Sequence, residues 1–245
     1  MSQQYNLDKF DVNGDVREAA EKAGVDRGTF VRNGMIAGAG AVGVGIFGLP
    51  TLAQAKISTK RPSVKNDAKI LQYALTLEYL EAAFYAAAVS ADNFASPALK
   101  QFAQVVAKHE AQHVKDLKAI LGKSAVKAPT LDGDAVAALI SPENFGPTAA
   151  LLEDTGVAAY AGQGPNIKQR PVVVKALEIH SVEARHAAWI HTLLLPADVN
   201  TASAKALPAP KAYDKAKSQG SILKAVTGLK GGGKTLVTKA DTSKF

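Results

Sequence analysis

The chain has 245 residues, 47% of them hydrophobic, with 29 Lys and Arg against 22 Asp and Glu, a formal charge of +7. That is room for one substantial domain with extra segments at the ends. The absence of cysteine excludes disulfides, thiolate zinc sites and iron–sulfur clusters, and no basic helix interleaved with aromatics points to nucleic acid.

Residues 1–26 are polar and mixed in charge. Arg27-Gly28-Thr29-Phe30-Val31-Arg32 then leads into the apolar, Gly/Ala-rich run Met35 to Leu49, which Pro50 breaks. Ala53-Gln54-Ala55 offers a small-residue cleavage site before Lys56. A basic stretch, a short apolar core and small residues at the cut describe an export signal. The apolar run is shorter than the ~20 residues that span a bilayer. Residues 1–55 are therefore expected to be an export signal that engages the export machinery, and the protein is expected in the periplasm or outside the cell. The long polar lead and weakly hydrophobic core resemble a twin-arginine signal. Gly28 stands where the second arginine would be, so general secretion or an uncleaved membrane anchor stays open.

Four helices follow. The first is predicted from Asp67 to Ser90, with Ile70, Leu71, Ala74, Leu75, Leu77 and Phe84 at three-to-four spacing. Ser96 as cap and Pro97 at the first helical position open the second, which runs to Leu121 and Gly122. Residues 122–146 contain Pro129, Gly133 and Pro142 and read as a crossover with one short helical turn. The third helix is expected from about Pro147 to Ala161, and the fourth from about Pro171 to Leu195. Two helical hairpins joined by one long crossover make an all-α four-helix bundle over residues 56–195, with ferritin-like connectivity. Residues 196–245 are rich in Lys, Ala, Pro and Gly and are expected to be an extended or weakly packed tail, with one helical turn near Ser221 to Val226.

One metal-binding pattern is written twice on these helices. Glu78 is followed by Tyr85 and then by Glu110-Ala111-Gln112-His113; Glu153 is followed by Tyr160 and then by Glu183-Ala184-Arg185-His186. Residues three apart share a helix face, so each ExxH aims a carboxylate and an imidazole at one point. Two such helices and two carrying a lone Glu form the ligand set of a di-metal bundle. Two divalent cations supply four positive charges against Glu78, Glu110, Glu153 and Glu183, with His113 and His186 as neutral ligands. Carboxylate and imidazole ligands suit Fe, Mn or Zn better than Cu(I), and a pair of Fe or Mn ions can act on O₂ or peroxide. Tyr85 and Tyr160, two turns from Glu78 and Glu153 on the same face, can donate to a ligand carboxylate or supply an electron. Glu81 shares a face with Glu78 and competes for its role. His109, Glu178 and His191 are read as surface or supporting residues, and His180 as a hydrogen-bonded histidine of the bundle that could also support a ligand.

Glu78, Glu110, His113, Glu153, Glu183 and His186 resemble the di-iron ligands of the ferritin-like superfamily, bacterioferritin and rubrerythrin relatives included. Across about residues 66–195 the chain looks most like exported ferritin-like domain proteins, some of them desiccation-related. The resemblance implies an Fe- or Mn-binding bundle, often linked to iron oxidation or peroxide defence. It leaves the activity open, because related bundles store iron, destroy peroxide or oxidise organic substrates. A non-catalytic, stress-protective bundle with a structural metal is the alternative. Nothing in the sequence specifies assembly into a shell, and a homo-oligomer stays open.

Two further motifs compete. His109 to His113 also matches HExxH, the zinc-protease helix, in which both histidines bind zinc and Glu110 is the base. That reading leaves the second copy of the pattern unexplained. Gly228 to Thr235 matches the phosphate loop GxxxxGK[ST], which works only between a strand and a helix of an α/β sheet. Ten residues remain after Thr235, too few for that fold, so no nucleotide is expected.

Overall fold

The structure, a computed structural model, describes residues 57–198 and 207–241. The expected export signal at 1–55 lies outside the described residues. Among those described, the order is α1 (Val64–Ala91), α2 (Pro97–Leu121), β1 (Thr130–Leu131), α3 (Gly133–Leu139), α4 (Phe145–Gln163), α5 (Arg170–Leu193), α6 (Gln219–Thr227), β2 (Lys230–Gly231), β3 (Lys234–Thr235) and β4 (Val237–Lys239). The fold is all-α in its substance. Helices α1 with α2 and α4 with α5 form two hairpins, and α1 meets α4 while α2 meets α5 to close the bundle. No helix among the described residues is long and apolar enough to cross a membrane.

Helix ends follow local chemistry. Ser63 and Ser96 accept from the backbone N–H groups of Asn66 and Leu99, at 3.1 and 3.2 Å, each satisfying a donor that the first helical turn leaves free. Pro97 sits where its missing N–H costs nothing. The first helix stops at Asp92, in the left-handed region with φ 47°, and the side chain of Asp92 pairs with Lys100 of α2. The third bundle helix starts at Phe145, before the expected Pro147; a proline is tolerated in a first turn, where its missing N–H would have no helical partner.

Buried polar side chains fix the register of the bundle. Asp67, at the start of α1, accepts from the backbone N–H groups of Lys168 and Gln169 at 2.7 and 2.9 Å, just before α5. Gln72 donates to the Ser124 carbonyl and accepts from Val126 N–H, both at 2.7 Å, which ties the start of the crossover to α1. Such buried bonds are made in few other registers, so they hold the lone-Glu helices level with the ExxH helices. At one end Phe84, Phe102 and Phe145 are fully buried around Tyr85. Phe84 stacks on Phe145 at 5.6 Å, and Tyr85 meets Phe102 edge-on at 5.9 Å. Burial of each aromatic contributes about 1.5–3 kcal/mol, and together they hold the tyrosine ring in place.

The C-terminal region differs from the expectation of a weakly packed tail. Helix α6 lies on α4, with Ile222, Leu223 and Val226 buried in the common core together with Leu236 and Val237. Strand β4 pairs antiparallel with β1 of the crossover, and Asp132 N–H donates to the Leu236 carbonyl at 2.9 Å. The chain leading into α6 crosses α4 at Gly162, where any side chain would strike the Lys217 carbonyl. The reason is that three apolar residues at helical spacing suffice to bury a short helix, whatever the average composition around them.

The phosphate-loop match falls in this region too. Its glycines Gly232 and Gly233, with φ of 57° and 82°, make the two-residue turn between β2 and β3, a geometry that needs positive φ at both positions. A helix precedes the motif, the motif itself folds as the hairpin and a strand follows it, whereas a phosphate loop lies between a strand and the helix after it.

Candidate metal centre

Each lone-Glu helix carries its carboxylate and tyrosine inward, and each ExxH helix turns its Glu and His to meet them. The six residues converge. Glu78, Glu110, His113 and Glu183 form one group whose ligand atoms all lie within 4.8 Å of one another; Glu110, Glu153, Glu183 and His186 form the other. Glu110 and Glu183 belong to both. Glu78, Glu110, Glu153 and Glu183 have no solvent exposure, and His113 and His186 are buried.

The imidazoles set the geometry. His113 Nδ1 lies 3.1 Å from Glu78 Oε2, 3.2 Å from Glu110 Oε2 and 3.2 Å from Glu183 Oε1. His186 Nδ1 lies 3.2 Å from Glu153 Oε2 and 3.3 Å from Glu110 Oε1. The tyrosines cross between the copies: Tyr85 Oη donates to Glu153 Oε1, and Tyr160 Oη donates to Glu78 Oε1 at 2.5 Å. Helical spacing put each tyrosine on the face of its own copy's glutamate; the bundle gives each to the other copy's.

Burial and mutual repulsion dominate the electrostatics. Burial, then the neighbouring Glu110, pushes the Glu78 carboxyl up to about 8. Burial and the surrounding carboxylates push Glu183 and Glu81 well above the ordinary range. For Glu110 burial also raises, but hydrogen bonds with His113, His186 and Glu78 outweigh it and bring it down to about 2. Burial disfavours the His186 imidazolium, yet Glu110 and Glu153 overcome this and lift it to about 9. Burial and the adjoining glutamates keep Tyr85 and Tyr160 protonated, their pKa values well above 10, so both remain donors.

The donor set fits divalent cations. Glu183 Oε2 is buried without a hydrogen-bond donor, and Glu110 Oε1 and Glu183 Oε1 are approached only by the His186 and His113 imidazoles, at 3.3 and 3.2 Å; these are the two carboxylates shared by the groups. A buried carboxylate oxygen without a partner is costly, and a cation between the groups would satisfy it. Backbone space serves the same spot. A Cβ on Gly156 would sit 2.9 Å from Glu183 Oε2 and 3.2 Å from Glu81 Oε1, so the glycine leaves room for both carboxylates. The buried Glu/His clusters are thus compatible with a di-metal site.

The remaining candidates belong to neither group. Glu81 is buried one turn beyond Glu78 but is in neither group. His109 is exposed, and its Nδ1 faces His186 Nε2 at 2.8 Å. The two histidines of the HExxH match therefore do not converge on one point, which removes the geometry of a zinc-protease helix. His191 pairs with the exposed Asp154 at 3.1 Å, Glu178 pairs with Lys175 at 2.6 Å, and His180 reaches neither group. The contact between His109 and His186 was missed by the sequence reading; its only signal was that every histidine of the chain lies on these two helices.

No curated protein matches the chain. Residues 66–196 match the family model of the ferritin-like domain, more than half of the 245 residues, and the span is that of the four bundle helices: the chain belongs to the ferritin-like domain family.

Proposed function

We propose that this is an exported ferritin-like protein that holds two divalent cations, Fe or Mn, and handles iron or peroxide under oxidative or desiccation stress. The observation that carries the reading is the pair of buried groups sharing Glu110 and Glu183, with Glu183 Oε2 buried and without a hydrogen-bond donor. One cation would be held by Glu78, Glu110, His113 and Glu183, the other by Glu110, Glu153, Glu183 and His186. A bound pair of Fe or Mn ions supplies two one-electron equivalents to O₂ or peroxide.

The protein's own groups do the rest. Tyr85 and Tyr160 hold Glu153 and Glu78 by their hydroxyl protons, which fixes one oxygen of each carboxylate and turns the other toward the imidazoles. Both tyrosines touch the ligand carboxylates, so each is placed to move a proton, or supply an electron, at its Oη. The dry aromatic end around Phe84, Phe102 and Phe145 excludes water from Tyr85.

The test is metal analysis of protein purified from its native compartment, with Fe(II) oxidation followed under air. About two Fe or Mn per chain and oxidation faster than buffer are expected, both largely lost in Glu110→Ala and Glu183→Ala. No metal above trace, and none taken up anaerobically, would sink the reading. Stoichiometric metal that raises the melting temperature without Fe(II) oxidation would favour the structural alternative. For export, N-terminal sequencing of the secreted protein is expected to start at Lys56.

A further inference from the structure

His109 takes no part in the two groups, yet its contact with them is well defined. Its Nδ1 lies 2.8 Å from His186 Nε2, and the rings stack with centroids 5.1 Å apart and 15° between their planes. His186 meets Glu110 and Glu153 through its other nitrogen. One imidazole nitrogen is thus committed inward and the other outward, and a ring engaged at both cannot flip without losing both contacts. Neighbouring residues on a helix point about 100° apart, so His109, beside the inward Glu110, looks along the seam between α2 and α5.

Among the described residues, the other half of the centre shows no such contact. The residue before Glu183 is Val182, and a valine side chain offers no hydrogen bond. His113 reaches its carboxylates through Nδ1, with no histidine from the second copy to meet its outward nitrogen. The repeat is therefore broken at one of its supporting positions.

We infer that His109 is a positioning residue for one half of the centre: it holds His186 with Nδ1 inward and the Nε2 proton donated outward. The position formed by Glu110, Glu153, Glu183 and His186 then binds its cation more tightly than the position formed by Glu78, Glu110, His113 and Glu183. The inference rests on the di-metal reading above. A ligand imidazole that donates its other N–H is fixed in tautomer and is the more basic ligand, and loss of such a partner costs about 10–100-fold in metal affinity.

Anaerobic titration of the metal-free full chain with Co(II), followed by visible absorption, tests this. Wild type is expected to take up two ions per chain in two unequal steps. In His109→Ala the tighter step weakens by about 10–100-fold, while the weaker step and the helix content by circular dichroism stay as they were. His109→Gln, whose amide oxygen can accept the same proton, restores most of the tighter step, which a merely space-filling role would not produce. In the metal-free protein, the His186 Nε2 proton gives an ¹⁵N–¹H correlation that His109→Ala loses. Equal steps in wild type, a His109→Ala titration that overlays wild type, or equal weakening of both steps without recovery in His109→Gln would overturn the inference and leave the di-metal reading standing. No Co(II) uptake by wild type would overturn both.

Discussion

Removing the metal and raising the pH together should destabilise the bundle. In the metal-free chain, burial and Glu110 push Glu78 from 4.5 up to about 8. A carboxyl that binds its proton more tightly when folded contributes stability at low pH, and that contribution is lost as the pH rises from 4.5 through 8. His186, held near 9 against an ordinary 6.5, acts in the same direction: its contribution is full below 6.5 and gone above 9. Glu110, brought down to about 2, has the opposite sign, but its window lies below 4.5 and does not enter.

A tenfold change in proton affinity is worth about 1.4 kcal/mol, so Glu78 alone accounts for on the order of 5 kcal/mol between pH 4.5 and 9. The groups form one network, and their contributions are not summed. That loss compares with the whole stability of a typical domain, about 5–15 kcal/mol. Cation binding reverses the slope, because the ligands must be deprotonated. Urea unfolding by circular dichroism at about pH 5, 7 and 9, with chelator and with excess Mn(II), measures both; at about 1–3 kcal/mol per molar urea, the metal-free midpoint should fall by roughly 2 M. A metal-free midpoint that is flat or rises from pH 5 to 9 would refute the reasoning.

Three other outcomes follow from the same geometry. Tyr85→Phe removes the donor to Glu153 and leaves a buried carboxylate oxygen unpaired, at about 1–3 kcal/mol; Tyr160→Phe does the same at Glu78, and thermal melts with metal bound would show both. Gly156→Val places side-chain atoms where Glu183 and Glu81 face each other, so equilibrium dialysis should show lost metal uptake while circular dichroism shows a retained helical fold. Ile222→Ala, at a fully buried position, should cost about 2–5 kcal/mol, and an unchanged melting temperature would mean that α6 does not stabilise the bundle in solution.

Much of this was legible because it is local. The cap Ser96, Pro97 at the first helical position, the end of the second helix at Gly122, and the three-residue step within each ExxH all act inside one helix, and their outcomes are those of the chain as folded. The convergence of the six Glu and His residues was legible because the pattern is written twice. Illegible features were tertiary. No spacing within α1 says that Tyr85 faces Glu153 rather than Glu78, since that depends on which helix lies opposite. The C-terminal segment was hidden by composition: Lys, Gly and Thr surround Ile222, Leu223, Val226, Leu236 and Val237, and five apolar residues are enough to seat it. His109 was read as a surface or supporting residue; it is exposed, and its ring at the edge of the helix reaches a neighbour across the seam.

Without a cation at its centre, the fold gives up stability that an apolar core would keep. Glu78, Glu81, Glu110, Glu153 and Glu183 are all buried within one bundle, with two imidazoles among them. Leucines at the same positions would fill the space and release the carboxylates' desolvation cost, and replacing buried charges by apolar residues of similar volume is often neutral or stabilising. The surroundings instead support the charges: two tyrosine hydroxyls are aimed at carboxylates, and a glycine makes room for two more. Local sequence rules that fail together, at one place, mark a functional site rather than a poor core. Here they fail where the two copies of the pattern meet, and bound cations would supply the charge that this arrangement lacks.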